Sequence, residues 1–323
     1  MVVLDLKDKK ILFELDINAK QSLSKIGKKV GLSKEVVNYR INRLIAEGVI
    51  KGFYARIDAS KLGFSVFRTF LKFQDLTPKK EKELIDFIVS QKSIGWCVSI
   101  QGKWDLNFIF WAKNNNHFFK FWKELKNKYG NHFANNWIST YGWFMNLPKG
   151  FLLEKKPENF KPFKSGTHEK ENLDEIDFKI LSIISEKART PLIEIAKQIN
   201  HSDKVVAYHL KQLEQKKIIG GYGVQLDLAQ IGYEYWKIHF SLKNYSEKRF
   251  NELNNFCIQH PNVVYTNELI GGADFEVDLF VKNYSELQKF IDESRIKFED
   301  LIKNSEIMLY YKEYKLVLFP WED

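Results

Sequence analysis

Six side chains between Ser33 and Glu47 carry the donors and acceptors that read nucleic acid: Lys34, Asn38, Tyr39, Arg40, Asn42 and Arg43. Arg, Asn and Tyr hydrogen-bond base edges and phosphates in a major groove. Wound as an α-helix, the stretch puts Val37, Ile41, Leu44 and Ile45 on one face. Glu35, Tyr39, Asn42 and Arg43 fall opposite, with Asn38 and Arg40 at the flanks. Ser33 is a good N-cap, and Gly48 closes the helix before the strand-like Val49-Ile50. Alone, such a helix reads as an ordinary amphipathic surface helix; its neighbours change that.

Asp5 to Asn18 reads as a first helix, with Leu4, Ile11, Leu12 and Leu15 inward and Asp5 and Asp8 at the positive end of its dipole. Gln21-Ser22 opens a short second helix with Leu23, Ile26 and Val30 inward. A turn through Gly31-Leu32 then leads to Ser33. Helix, short helix, turn and polar-faced helix make a helix-turn-helix. Lys25, Lys28 and Lys29 crowd the second helix, which in such units crosses the phosphate backbone.

The runs L-D-x-K-D-x-K-I-L from Leu4, G-L-S-K-E-V-V-N-Y-R-I-N-R-L-I-A-E-G-V-I-K-G-F from Gly31, and D-A-S-K-L-G-F from Asp58 resemble the Lrp/AsnC family of transcription regulators. The resemblance implies a helix-turn-helix joined by a strand to a small α/β effector domain. Tyr39 departs from the family pattern, which usually has a basic residue there.

The same pattern returns 169 residues later. Residues 4–63 and 173–232 align without gaps with 19 identities in 60, among them Tyr39 with Tyr208 and Gly63 with Gly232. The offset persists downstream, pairing Gly102 with Gly271 and Asp105 with Asp274. The chain therefore reads as two copies of one unit. The expected division is helix-turn-helix 1–62, α/β domain 63–154, linker 155–172, second helix-turn-helix 173–231 and second α/β domain 232–323. The linker, rich in Pro, Gly and charge, reads as semi-extended.

In each copy the segments after the helix-turn-helix read β-α-β-β-α-β. In the first they are Phe64 to Phe73, Thr77 to Ser90, Trp96 to Ile100, Trp104 to Trp111, Asn116 to Tyr129 and Trp137 to Met145. In the second the last helix is expected over Ser285 to Ile302 and the last strand over Glu306 to Leu318. The fold class expected is α+β: two repeats, each a winged-type helix-turn-helix followed by a ferredoxin-like domain. One face of each such sheet lacks helices and is expected to stack on the sheet of the other copy, an intramolecular pseudo-dimer. A further homodimer of the chain would carry four helix-turn-helix units.

Net charge is +9 over 323 residues, and it is unevenly shared. Residues 1–154 carry +12, the stretch 155–170 carries +3, and 171–323 carry −6. The helix-turn-helix regions differ likewise, +6 over 1–62 against −1 over 171–231, and Arg40 and Arg43 become His209 and Gln212. Phosphate neutralisation carries much of DNA affinity, so the first unit is expected to dominate contact with double-stranded DNA. Lys204, Tyr208 and Lys211 leave the second unit a weaker contact. The competing reading makes copy two a structural partner.

No apolar run is long enough to span a membrane, and the N-terminus has no signal-peptide core. Cys97 and Cys257 read as buried thiols of a reducing cytoplasm. No cofactor, metal or catalytic set is implied. Gly102, Asp105, Gly271 and Asp274 sit where the resemblance implies an effector loop, often for an amino acid: a carboxylate takes an ammonium, and Gly amides approach a carboxylate closely. The alternative is a hairpin Gly with an Asp pairing locally. Trp96, Trp104 and Trp143 read as core or as the wall of a pocket for an apolar or aromatic ligand.

The expected function is a DNA-binding, non-enzymatic regulator. Siroheme decarboxylases also look like this family, and some are fused in the same two-copy manner. They hold an anionic tetrapyrrole with His and Arg, but His117, His132, His168, His201, His209, His239 and His260 are scattered along this chain. A ligand sensor that has lost DNA binding is the third reading.

Overall fold

The structure, a computed structural model, describes residues 1–166 and 169–319. Thr167 and His168 of the expected linker, and positions 320–323 of the expected second α/β domain, lie outside the described residues.

Each copy opens with three helices: α1 Leu6–Ile17, α2 Leu23–Val30 and α3 Lys34–Ala46, then α6 Glu175–Glu186, α7 Leu192–Ile199 and α8 Asp203–Gln215. Asp5 and Asp8 form a capping box at the start of α1, and Asp174 and Asp177 form the same box on α6. Ser22 and Ser33 cap α2 and α3. Gly31 ends α2 at φ 68°, a left-handed conformation that glycine adopts without strain; Asn200 does the same work after α7.

The strand after each helix-turn-helix crosses to the other copy. β1 Ile50–Ile57 and β7 Ile219–Leu226 form a two-stranded antiparallel ribbon. Ala55, Ile57, Leu62 and Phe64 of copy one are buried in one cluster with Ile180, Leu181, Ile184 and Leu213 of the second helix-turn-helix. Val224 and Leu226 return the exchange against Ile11, Leu12, Ile41 and Leu44. Each such side chain stabilises by about 1.5–3 kcal/mol on burial, so each helix-turn-helix core is completed by its counterpart's strand. Backbone bonds repeat the exchange: Ala19 N donates to Tyr222 O at 3.1 Å, and Ala188 N to Phe53 O at 2.8 Å.

The α/β part of copy one comprises β2 Ser65–Phe73, α4 Pro78–Ser90, β3 Ile94–Gln101, β4 Leu106–Ala112, α5 Asn115–Tyr129 and β5 Phe133–Asn146. After the short β6 Phe163–Ser165, copy two supplies β8 Glu234–Leu242, α9 Glu247–Gln259, β9 Val263–Ile270, β10 Phe275–Val281, α10 Tyr284–Lys297 and β11 Ile302–Leu316. The last helix is thus shorter than its sequence pattern, and the last strand starts where that helix was expected to run. Within copy one the pairing order is β5-β2-β4-β3, and within copy two β11-β8-β10-β9. The stacking of two open sheets expected from sequence does not occur. The sheets join at their edges instead, β5 to β9 and β11 to β3, all antiparallel, and close an eight-stranded barrel. Closure leaves none of these strands with an unpaired edge, which face-to-face stacking would not achieve.

The helices cover the barrel outside. α4 and α5 bury Leu84, Ile88, Phe121 and Leu125 with Cys97, Leu106 and Phe108 of the sheet. Inside, Phe70, Trp96, Val98, Trp104, Met308 and Tyr310 form a separate core drawn from both copies. That interior also holds a charged network. Glu276, 1% exposed, takes hydrogen bonds from Arg68 Nη1 and from Lys237 Nζ at 2.8 Å. Lys237 reaches Asp278 at 2.7 Å, and His239 Nε2 lies 3.1 Å from Glu276. Burial raises the Glu276 carboxyl, but Arg68 and Lys237 overcome that and hold it well below the usual range.

The linker is not a free spacer. β6 pairs with β5 along Phe163–Ser165, Ser165 Oγ donates to Asp58 at 2.7 Å, and Phe163 lies over Gly220, where a Cβ would meet its ring at 1.9 Å. Lys156 Nζ donates to the Pro148 carbonyl at 2.6 Å, and burial pushes its ammonium down to about 7.

Two outcomes follow. Glu276→Gln leaves Arg68 and Lys237 with one carboxylate between them, and should cost about 3–5 kcal/mol in denaturant unfolding; a loss under about 1 kcal/mol would mean that water reaches the network. Lys156 keeps its proton up to 10.5 in the unfolded chain but only to about 7 when folded. The unfolded chain therefore binds more protons across that window, and stability should rise with pH there by at most about 1.4 kcal/mol per unit. Lys156→Met should flatten that slope between pH 7 and 9; an unchanged slope would place its source elsewhere.

Candidate functional site

The outer face of α3 presents Lys34, Asn38, Tyr39 and Asn42 to solvent, with the capping Ser33 at its start. Tyr39 is 67% exposed. Lys25 and Lys28 are exposed on α2 beside it, while Lys29 is drawn to Glu14 at 2.5 Å. Ser33, Lys34, Asn38, Tyr39, Asn42, Lys25 and Lys28 are thus all solvent-exposed on the first helix-turn-helix. On α8, Lys204, Tyr208 and Lys211, the counterparts of Glu35, Tyr39 and Asn42, are exposed, with Tyr208 at 61%.

Arg40 and Arg43 are placed differently. Arg40 Nη1 donates to Asp5 at 2.7 Å and Asp8 at 2.8 Å, and Arg43 Nη2 donates to the other Asp8 oxygen at 2.6 Å. Asp8 is 1% exposed, so its charge is desolvated and needs both guanidinium groups. The two arginines clamp α3 to α1. Sequence reading put them on the open front because helical phase alone does not show that α1 supplies a carboxylate within reach of their long side chains. Copy two keeps the clamp with a different side chain: His209 Nδ1 lies 2.8 Å from Asp177 and 3.9 Å from Asp174. Those three residues are the one group among the described residues close enough to hold a metal, and their counterparts are the Asp5–Asp8–Arg40 ion pair.

The hairpin residues do local work. Asp105 takes the Phe73 amide at 2.7 Å and Lys72 at 2.8 Å; Asp274 takes the Leu242 amide at 2.7 Å. Gly102, at φ 142°, approaches the Ile307 carbonyl closely, and Gly271 stands at φ 71°. Each turn therefore pins the end of its neighbouring strand. Of the three candidate tryptophans, Trp104 packs on Phe70 and Trp137, and Trp143 joins the second copy's core, its Nε1 donating to Glu268. Trp96 faces a cavity at the mouth of the barrel.

The charged wall of that cavity is what sequence reading passed over. Arg68 and Lys237 are counterparts at the 169-residue offset, each inside an apolar strand, and Glu276 and Asp278 alternate with Val277 and Leu279. Charges alternating in a strand normally mark a solvated face; here they point into a closed barrel, which only the closure reveals.

Comparison with known proteins agrees with the repeat. Residues 4–51 and 173–219 each match the family model described as winged helix-turn-helix DNA-binding. An uncharacterised HTH-type transcriptional regulator of Pyrococcus abyssi is 30% identical over 113 residues, which are 35% of this chain and 75% of the relative. The HTH-type transcriptional regulator Ptr1 of Methanocaldococcus jannaschii is 33% identical over 103 residues, 32% of this chain and 68% of the relative. Such proportions arise where the relative is one unit long and this chain is two. Along its full length the fold is similar to that of the siroheme decarboxylase NirDL, with a TM-score of 0.66, 12% identity and coverage of 98% and 94% of the two chains. At that identity the likeness is one of fold. The paired helix-turn-helix regions and the regulator relatives together show that the chain belongs to the Lrp/AsnC family of DNA-binding transcriptional regulators.

Proposed function

We propose that this regulator contacts double-stranded DNA chiefly through its first helix-turn-helix. The observation that carries this is the open front of α3 and α2, where Lys34, Asn38, Tyr39, Asn42, Lys25 and Lys28 are exposed together on a region of net charge +6. Lysines there neutralise phosphates, and the two Asn side chains offer the amide fork that pairs with adenine. Arg40 and Arg43 act as positioning residues that fix the angle of α3. Lys204, Tyr208 and Lys211 give the second unit a weaker contact, consistent with its net charge of −1.

The units act as the domains 1–62, 63–154, 173–231 and 232–323, joined by 155–172. The α/β halves, ferredoxin-like in strand order, serve assembly and small-molecule sensing. An amino-acid effector seated at the hairpins would have to compete with the Phe73 and Leu242 amides for Asp105 and Asp274. We therefore assign those loops to strand closure and the sensing role to the barrel. One chain is already a pseudo-dimer; two chains pairing would present four helix-turn-helix units, which a mass measurement reads directly. The regulator works in the cytoplasm, where Cys97, pushed up to about 12 by burial, stays an inert thiol.

The reading is non-enzymatic. His239, the one imidazole inside the barrel among the described residues, is 2% exposed, with its Nε2 3.1 Å from Glu276. Addition of siroheme should leave its absorbance unchanged; a spectral shift followed by loss of carboxylate would make the chain an enzyme.

The DNA reading is tested with the full chain and its own upstream DNA across a salt series. Log affinity should fall with log salt by about 0.9 per phosphate neutralised. Lys34→Ala/Asn38→Ala should cost about 1–3 kcal/mol of binding and lower the salt slope by about one. Lys204→Ala/Lys211→Ala should lower the affinity less than the first pair does. Equal losses would mean both units grip DNA alike, and no binding at low salt would remove the DNA contact.

A further inference from the structure

A cavity of about 250 Å³ lies between the mouth of the barrel and the β1–β7 ribbon. Its walls come from both copies: Arg56, Arg68 and Lys149 from the first, and Tyr235, Asp278 and Glu313 from the second. It shares Tyr54, Gln225, Leu316 and Leu318 with an exposed groove bordered by Lys51, Lys187 and Arg189. That groove gives the cavity a basic entrance.

At the ribbon end of the cavity the charges do not cancel. Arg56 and Lys149 both lean on one carboxylate, Asp16, which is 0% exposed: Arg56 Nη2 donates to it at 3.3 Å and Lys149 Nζ at 2.5 Å. Burial works against the charge on both cations, yet Asp16 and Tyr54 hold them protonated. Two cations on one anion leave one positive charge in excess at this end, where desolvation makes an unpaired charge costly. At the other wall the lining Arg68 and Asp278 are matched by Glu276 and Lys237, which do not line the cavity. Among the buried polar atoms without a hydrogen-bond partner, four belong to lining residues, and all four are donors: Arg56 Nε, Arg68 Nε, Trp111 Nε1 and the Tyr141 hydroxyl, which burial keeps protonated.

The acceptors are already used. Asp278 takes Lys237 at 2.7 Å, Tyr235 at 2.7 Å and Asn267 at 3.3 Å. Glu313 takes Trp96 Nε1 at 2.9 Å. A ligand entering at the ribbon end meets spare donors and spare positive charge, with aromatic faces around them, while the two lining carboxylates, Asp278 and Glu313, already hold donors. A cavity of about 150 Å³ holds benzene; this one has space for one aromatic ring and a short acidic arm.

We propose that this cavity is the sensory site of the protein, and that its ligand is a small aryl-alkanoic or aryl-2-oxo acid, a carboxylate carrying one aromatic ring and no amino group. The carboxylate lies toward Arg56 and Lys149, and the ring lies among Trp96, Trp111 and Tyr141. The site as a binding site rests on its own geometry; its influence on DNA rests on the reading above, because Tyr54 and Arg56 belong to the ribbon that ties the two helix-turn-helix units together.

The test is titration calorimetry of the full chain without DNA, with 3-phenylpropanoate, its amide and L-phenylalanine as probes. The amide removes the charge, and phenylalanine adds an ammonium to the same skeleton. 3-Phenylpropanoate should bind, with the other two at least tenfold weaker. Val66→Phe and Leu228→Phe, two separate fillings of the cavity, should each abolish that heat while leaving the thermal unfolding transition in place. Absence of heat with 3-phenylpropanoate overturns the proposal, as does L-phenylalanine binding equally well or binding that survives in a folded filled variant. DNA affinity of the same filled variants, if retained, shows that a failed cavity proposal leaves the DNA reading standing.

Discussion

The structure depends on how two βαββαβ sheets dispose of their edges. Each four-stranded sheet has an edge at its second strand and another at its fourth. An open edge offers unpaired amides and carbonyls to any other strand. Here the fourth strand of each copy takes the second strand of the other, β5 on β9 and β11 on β3. The same exchange occurs one layer out, where β1 and β7 pair and each completes the apolar core of the opposite helix-turn-helix. Neither copy closes its own core or its own sheet. Fusion in one chain raises the effective concentration of the two halves for each other, which suits an assembly whose parts are incomplete alone.

Once the copies are fused they are free to become unlike, and the barrel interior shows that they have. At the 169-residue offset Lys237 answers Arg68, but Glu276 answers Asn107 and Asp278 answers Ile109. Two first copies paired together would bury two Arg68 side chains with no carboxylate from these positions. Two second copies would bury two Lys237 against four carboxylates. Only the unlike pair matches charge inside the barrel, so the network acts against pairing of like halves. The cavity inherits this asymmetry, with both Arg56 and Lys149 coming from copy one.

What could be read from the chain is what local pattern determines. The capping serines, the helical phase of Val37, Ile41 and Leu44, and the αL position at Gly31 depend on residues a few places apart, and the structure has these helices within a residue or two of their expected ends. The element order survived for the same reason. Edge closure, the exchange of β1 and β7, and the docking of Phe163 over Gly220 depend on partners more than fifty residues away, about which periodicity carries no information. The repeat itself held part of the missing signal: a strand in which Glu276 and Asp278 alternate with Val277 and Leu279, and whose counterpart is the apolar run Leu106–Ala112 broken only by Asn107, is not an ordinary half-solvated strand.

The clamp at Asp8 changes what the charge difference between the two helix-turn-helix units means. Two of the first unit's cations are spent internally on Asp5 and Asp8, so they add little to the field that phosphates meet. In the second unit His209 stands where Arg40 does, and Gln212 where Arg43 does. Substituting the clamp therefore altered how α8 is fastened to α6 more than it altered the outward charge of the unit. The outward difference lies in the lysines. Lys25 has Glu194 as its counterpart, a reversal of sign at an exposed position of the helix before the recognition helix, whereas Lys34-Glu35 becomes Asp203-Lys204, which exchanges two signs and leaves their sum unchanged. A reversal costs twice what a neutralisation does in phosphate attraction, because an attractive interaction becomes a repulsive one of similar size. The Lys25 position therefore separates the outward charge of the two units more than the clamped arginines do.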